Sequence, residues 1–199
     1  MKKLVMLILS LAFIFPAFSQ KVRLVEGSVA PLKGQTAIAV EFTYDNLKIG
    51  MRGKETEAEY IADRKQKMNE KEAGKGDKWA VAWVADRKDR FEPQFRELCS
   101  KHAEMTTAGS NPTYTMIFKT TQTEPGFNVG ITRMPAFING EALIVETANK
   151  DKVVARITVE RSPGRDAWGF DFDTGTRLQE AYAKAGKEIA QFIVKQNKK

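Results

Sequence analysis

At 199 residues, with 42% hydrophobic and 29% charged residues, the chain is within the range of one domain with a real core, and it carries no internal repeat or long low-complexity linker. The net charge of +7 lies mostly along helical stretches beside carboxylates, as in Asp63 to Lys71 and Asp86 to Arg90, and no basic run interleaved with aromatics marks a nucleic-acid binder. The sequence holds no phosphate loop, dinucleotide fingerprint or zinc signature, so no cofactor is expected.

The chain begins Met1-Lys2-Lys3, runs apolar from Leu4 to Phe18 and closes on Ala17-Phe18-Ser19 before Gln20. A basic start, a short apolar stretch and small residues before the cut describe a secretory signal peptide over residues 1–19. Residues 20–199 are then expected as a single exported domain, periplasmic or secreted, with a charge of +5 once Lys2 and Lys3 are gone. The apolar run is short for a membrane span, and no cysteine follows the cut to carry a lipid, so stable membrane insertion is not expected. The one cysteine, Cys99, reads as a small buried hydrophobe in a helical pattern.

Residues 20 to 34 suggest a short edge strand and a turn, and Ile38, Val40, Phe42 and Tyr44 alternate with polar or small residues as a strand does. Leu47 and Ile49 suggest another short strand. Thr56-Glu57-Ala58-Glu59 is a capping box that opens a helix to about Asn69, burying Tyr60, Ile61, the Arg64 stem and Met68. Gly74 to Asp77 breaks that helix, and Asp77 is placed to cap the next. Trp79, Trp83, Val84 and Arg87, then Phe91, Phe95, Leu98, Cys99 and His102, recur at helical spacing. Pro93 interrupts the row, so the pattern predicts either a kink or two helices meeting near Phe91.

Tyr114 to Arg161 reads as an antiparallel meander of three strands. Val153, Ala155, Ile157 and Val159 form one row against Arg156, Thr158 and Glu160, as on a sheet with one dry face, and Asn149 to Lys152 supplies a tight polar connection. The last helix is capped by Asp173 or Thr174. Its apolar stripe of Leu178, Ala181, Tyr182, Ala185, Ile189, Phe192 and Ile193 is expected on the sheet, with Gly186 permitting close approach there. The fold class is α+β: a mostly antiparallel sheet of four or five strands with helices mainly on one face.

Two loops carry the candidate chemistry. Thr123 to Gly130 joins the first two meander strands, and Pro163 to Gly175 precedes the last helix. Phe127, Asn128, Arg165, Trp168, Phe170 and Phe172 in these loops are the candidate binding residues, since exposed aromatics beside turns make stacking surfaces. The competing expectation is that the aromatics tuck under the last helix. Asp166, Asp171 and Asp173 supply oxygens suited to a hard cation, but their spacing lacks a full calcium loop, and Asp173 is explained equally by helix capping. His102 lies one helical turn from Cys99, an arrangement that seldom makes a working dyad. Glu41, Glu124 and Glu141 could act as paired carboxylates only if the fold gathers two at a cleft. No residue is assigned a catalytic role.

The tryptophan-bearing helix with Asp86-Arg87-Lys88 and Arg90-Phe91-Glu92-Pro93, the stretch Thr123-Glu124-Pro125-Gly126-Phe127-Asn128-Val129-Gly130, and Gly169-Phe170-Asp171-Phe172-Asp173-Thr174-Gly175 before the helix Arg177 to Ile193 together resemble an uncharacterised group of secreted Bacteroidetes proteins. That resemblance covers most of the chain after the cut and implies no assigned activity. More loosely, the order of elements is similar to envelope accessory lipoproteins with a small α/β sandwich related to the N-terminal domain of TolB, from which this chain departs in lacking the lipidated cysteine.

The expectation is therefore a binding or assembly protein of the cell envelope. Its partner is an envelope protein or a glycan, met through the glycine-aromatic loops, and copies of the chain are expected to associate along an open strand edge. The competing class is an envelope hydrolase working with Asp or Glu side chains, which requires a pocket with two carboxylates and one pKa displaced upward.

Overall fold

The computed structural model describes residues 21–107, 111–129, 132–164 and 173–198. Among these the chain runs β1 (Lys21–Gly27), a 3-10 turn at Ala30–Leu32, β2 (Ala39–Thr43), β3 (Lys48–Ile49), β4 (Glu55–Thr56), α1 (Glu57–Lys71), α2 (Lys75–Asp86), a π-turn at Arg87–Phe91 and α3 (Glu92–Ala103). It continues with β5 (Tyr114–Glu124), β6 (Phe127–Val129), β7 (Thr132–Met134), β8 (Phe137–Glu146), β9 (Asn149–Pro163) and α4 (Thr174–Asn197).

The main sheet has the order β1-β9-β8-β5-β3-β4, with β2 also on β5. It has seven strands rather than four or five. β3 is the short strand suggested by Leu47 and Ile49, and β4, which the pattern does not predict, is two residues long, too short for an alternating pattern to register. The expected meander is present, β5 pairing with β8 and β8 with β9, all antiparallel. Its dry rows line up across the strands as Met116, Ile144 and Ala155, then Phe118, Ala142 and Ile157, all with no exposed surface. Ile117, which breaks the alternation, falls on the opposite face beside Leu143 and Arg156. On that face Arg156 pairs with both Glu26 and Glu141, and Arg23 with Glu160, at partly exposed positions, so that face is solvated.

Both strands that pair with β5 on its other side run parallel to it. The tight connection also differs from expectation. Thr147 and Ala148 make the turn, and Asn149 to Lys152 already belongs to β9, where Lys150 reaches Glu41 at 2.6 Å. The wide connection carries a small antiparallel hairpin of its own, β6 with β7.

α3 and α4 cover the dry face. Phe95 packs on Phe118 with ring centroids 4.7 Å apart, and Phe91 stacks on Tyr182 at 4.9 Å. Leu178, Ala181, Tyr182, Ala185, Ile189 and Ile193 of the stripe are buried. Gly186 faces α3 instead of the sheet: a Cβ there would collide with the Phe95 carbonyl oxygen. Cys99 is buried among these residues, and burial pushes its thiol up to about 12. It stays protonated there, and this removes the nucleophile from any Cys99–His102 dyad.

The capping box forms as expected, with the Glu59 amide donating to Thr56 Oγ1 at 3.2 Å and the Thr56 amide to Glu59 Oε2 at 2.8 Å. No residue of α1 is fully buried; Tyr60 and Ile61 pack partly buried against the core, and Arg64 is an exposed residue whose guanidinium lies over Trp79. Asp77 does not cap α2. Gly74 in the left-handed region starts the helix earlier, so Asp77 falls inside the first turn, where it takes Lys65 at 2.7 Å and Asn69 at 2.8 Å. Val84 points outward and is 48% exposed. At Pro93 the two helices do meet near Phe91, through the π-turn: the Glu92 amide bonds to the Arg87 carbonyl, five residues back. A proline has no amide to offer and crowds the carbonyl four residues before it, and the wider turn at this junction relieves both.

Candidate functional site

The two loops are rooted at the first turn of α4. Glu124 accepts from the Gly126 amide at 2.9 Å, and the buried Arg177 donates to the carbonyls of Pro125 and Gly126 and to Thr174 Oγ1. Burial pushes the Glu124 carboxyl up, against the pull of the Gly126 and Met51 amides. Phe127 opens β6 and is 42% exposed, so the expectation that the loop aromatics tuck under the last helix does not hold for it. Asn128 is the register partner of Arg133 in the β6–β7 hairpin. Arg165, Asp166, Trp168, Phe170, Asp171 and Phe172 lie outside the described residues. Their flanks are anchored: the Gly164 amide donates to the Ala136 carbonyl, and Asp173 caps α4 by accepting from the Gly175 amide at 2.9 Å.

On another flank of the same turn lies a cleft of about 240 Å³ between the α1–α2 hairpin and the start of α4. Trp79, Trp83, Phe91 and Leu178 make its apolar lining, and Arg64, Asp86, Arg90 and Asp173 its charged one. The aromatic side is a cluster. Trp79 is 5.6 Å from Trp83 and 5.8 Å from Tyr60, and the Arg64 guanidinium lies 5.6 Å over the Trp79 ring. Trp83 is fixed from below, its Nε1 donating to Glu57 at 2.7 Å, and the same carboxylate receives Arg87.

The charged side is a chain of alternating sign. Arg90 forms an ion pair with Asp86, Nε to Oδ1 at 3.1 Å, and donates through Nη1 to Asp173 at 2.5 Å. Gly175 permits this: a Cβ there would collide with Asp86 Oδ2. The two carboxyls diverge in acidity. Burial pushes Asp86 up, with Asp173 and Asp89 adding to the effect and Arg90 opposing it. Burial also works on Asp173, but hydrogen bonds from Arg90, Thr176 and the Gly175 amide outweigh it and hold that carboxyl below the usual range.

Beside the cleft lies a partly buried polar chain. The Arg87 guanidinium lies 4.1 Å over the Tyr44 ring, Tyr182 bonds Thr120 at 2.8 Å, and Glu92, 2% exposed, is paired with Lys88 and Arg96. Burial drives the hydroxyls of Tyr44 and Tyr182 well above the ordinary tyrosine range. These groups brace the π-turn from inside.

Among the described candidate residues, Asp173 alone lines this cleft, and it is committed to capping and to Arg90. In the sequence, Trp79, Trp83, Asp86 and Arg90 read as helix packing and a solvated face. The available signal is two i,i+4 pairs along one helical stretch, Trp79 with Trp83 and Asp86 with Arg90. The three glutamates are not gathered. Glu41 on β2 holds Lys150, Glu141 on β8 holds Arg156, with β5 between them, and Glu124 ends β5. A wider hollow of about 390 Å³, between residues 32–36 and the C-terminal ends of α3 and α4, has among the described residues no aromatic lining and one exposed ion pair, Glu104 with Lys198.

No protein-family model matches the sequence, and no curated protein matches it significantly. Among solved structures, a single-substitution variant of PelC from Paraburkholderia phytofirmans, a dodecamer, is similar with a TM-score of 0.41 at 12% identity, over 91% of this chain and 100% of that one. A second PelC dodecamer from the same organism gives the same score and identity over 86% and 98%. A Xanthomonas campestris protein of the DUF330 family gives 0.35 at 9% identity, over 87% and 94%. Likeness at this level is silent on ligand and chemistry.

Proposed function

We propose that the chain is an exported protein of the cell envelope that acts by binding, with the cleft at the start of α4 as its ligand site. The observation that carries the reading is the combination in one opening of a tryptophan-based lining and the Asp86–Arg90–Asp173 chain, at the turn where both glycine-aromatic loops are rooted. Sites that hold small ligands pair an apolar lining with a few fixed polar groups that orient the guest. Here the polar groups are held by one another and by a helix cap, so they are in place before any ligand arrives. β1 lies at a sheet edge with Lys21 and Arg23 exposed. Positive side chains on an edge oppose pairing with a second copy, so self-association through β1 is secondary in this reading.

Titration of the purified protein with fractionated envelope extract, followed by tryptophan fluorescence, tests it. A saturable change is expected, weakened at least tenfold in Trp79→Ala and in Arg90→Lys. Binding that neither substitution alters places the site elsewhere.

One observation favours a second reading, a carboxylate hydrolase: Asp86 and Asp173 share a cleft and their acidities are pushed apart, as an acid and a base require. Against it, Arg90 bonds both carboxylates, occupying the space a scissile bond needs. Hydrolysis of envelope polymers that is lost in Asp86→Asn would establish the enzyme.

A further inference from the structure

We infer that the cleft receives one uncharged sugar unit, whose ring face meets Trp79 while its hydroxyls bond the Asp86–Arg90–Asp173 chain; this rests on the binding reading above. Size is the first argument. At about 240 Å³ the opening is smaller than the pockets of about 300–1,000 Å³ that take drug-sized ligands, and it suits one ring better than an extended chain.

Charge is the second. The lining has two guanidiniums, Arg64 and Arg90, and two carboxylates, Asp86 and Asp173. Both carboxylates are engaged by Arg90, and Arg64 lies over Trp79. A cationic guest would compete with Arg90 for the aspartates, and an anionic guest would compete with the aspartates for Arg90. At the Asp86–Arg90–Asp173 chain, where the hydroxyls are to bond, either has to break an existing pair. A neutral guest does not.

Hydrogen-bonding capacity is the third. An ionised carboxylate has about four acceptor positions and a guanidinium about five donors; Asp86 and Arg90 keep most of theirs, while Asp173, which also accepts from the Gly175 amide and Thr176, keeps about one. A hydroxyl both donates and accepts. Neighbouring hydroxyls on a sugar ring can therefore donate to a carboxylate and accept from the adjacent guanidinium, in charge-assisted bonds stronger than neutral ones. The C–H face of the ring is apolar and carries a slight positive charge, which matches the negative face of an indole. Trp79 is half-buried and the more accessible indole, and what lies over its ring is the exposed Arg64 side chain, which a guest stacking there displaces; Trp83, 7% exposed and bonded to Glu57, serves as backing.

The experiment is calorimetric titration of the purified protein with the methyl glycosides of glucose, galactose, mannose and N-acetylglucosamine, with glucosamine and glucuronate as charged counterparts. Backbone and indole NH shifts are recorded in parallel. At least one neutral glycoside is expected to bind saturably, at least tenfold more tightly than both charged sugars, shifting the Trp79 indole NH. Affinity should fall at least tenfold in Trp79→Ala and in Arg90→Lys, the second keeping the charge and losing the planar fork. Preference for a charged sugar, or glycoside binding indifferent to both substitutions, overturns the inference. If no glycoside binds while envelope extract still gives a Trp79-dependent signal, the sugar assignment falls and the binding site stands. Failure of both removes the site as well.

Discussion

α4 and α1 are both long helices with charged outer faces, and they are held by different forces. α4 buries a full stripe, Leu178, Tyr182, Ile189 and Ile193 among it, and each large apolar side chain contributes on the order of 1.5–3 kcal/mol. α1 buries none. Besides the packing of Tyr60 on Trp79 and Trp83, it is held by its capping box, the Lys65–Asp77 bridge to α2 and the carboxylate of Glu57 on Trp83 and Arg87. Burial resists opening until the whole core gives way, whereas local polar contacts yield one at a time. The cleft has one wall on each element, Leu178 and Asp173 on the rigid side, Arg64 and Met68 on the other, so its width can adjust without disturbing the sheet.

The largest expected effect is on the rigid side. Ile189→Ala leaves a void between α4 and its neighbours and should cost about 2–5 kcal/mol in denaturant-induced unfolding; a loss below about 1 kcal/mol would mean that α4 is not held by its stripe. Next comes Glu57→Gln, which weakens the tie to Arg87 and Trp83 and should cost about 1–3 kcal/mol, the range for compromised bonds to charged groups. Hydrogen exchange should quicken in α1 while the amides of β5 and β8 keep their protection. Equal loosening in both places would erase the distinction between the two regions.

The smallest effect lies at their seam, in acid. Asp173 is depressed in the folded state, so its contribution to stability is present above the unfolded aspartate value, about 3.9, and is lost as pH falls through its lower folded value. Asp86 has the opposite sign: its folded value is raised, so its ionised form disfavours folding at neutral pH, and protonation relieves this as pH falls through the raised value. Carboxyl NMR titration should find Asp86 above and Asp173 below the reference. Arg90→Met should move both upward, because each loses the same cation. The reverse order would mean that the seam is built differently.

Local patterns are legible where their cause is local. The Thr56–Glu59 cap needs four consecutive residues and forms as expected, and the rows of the meander follow from the two-residue repeat of a strand. The direction of β2 is hidden, because a parallel strand shows the same alternation as an antiparallel one. The hairpin turn lies at Thr147–Ala148 rather than Asn149–Lys152, because polar residues at an exposed hairpin tip look alike in strand and turn. Gly186 is recognisable as a site of close approach, but α3, the partner that approaches, is distant in sequence. At the cleft, Asp86 and Arg90 are visible as a helical pair, and Asp173 as a cap. Nothing in their spacing ties the two together.

The amino-acid sequence alone determined the class of the fold, the start of α1 and the buried stripe of α4, since each depends on the periodicity of side chains along a few turns or strands. Only the tertiary structure decided that a π-turn relieved of one amide by Pro93 should bring Arg90 between Asp86 and Asp173, the second of them 83 residues further along the chain. Meetings of that kind depend on how layers pack, and packing is a property of the whole core rather than of any one segment.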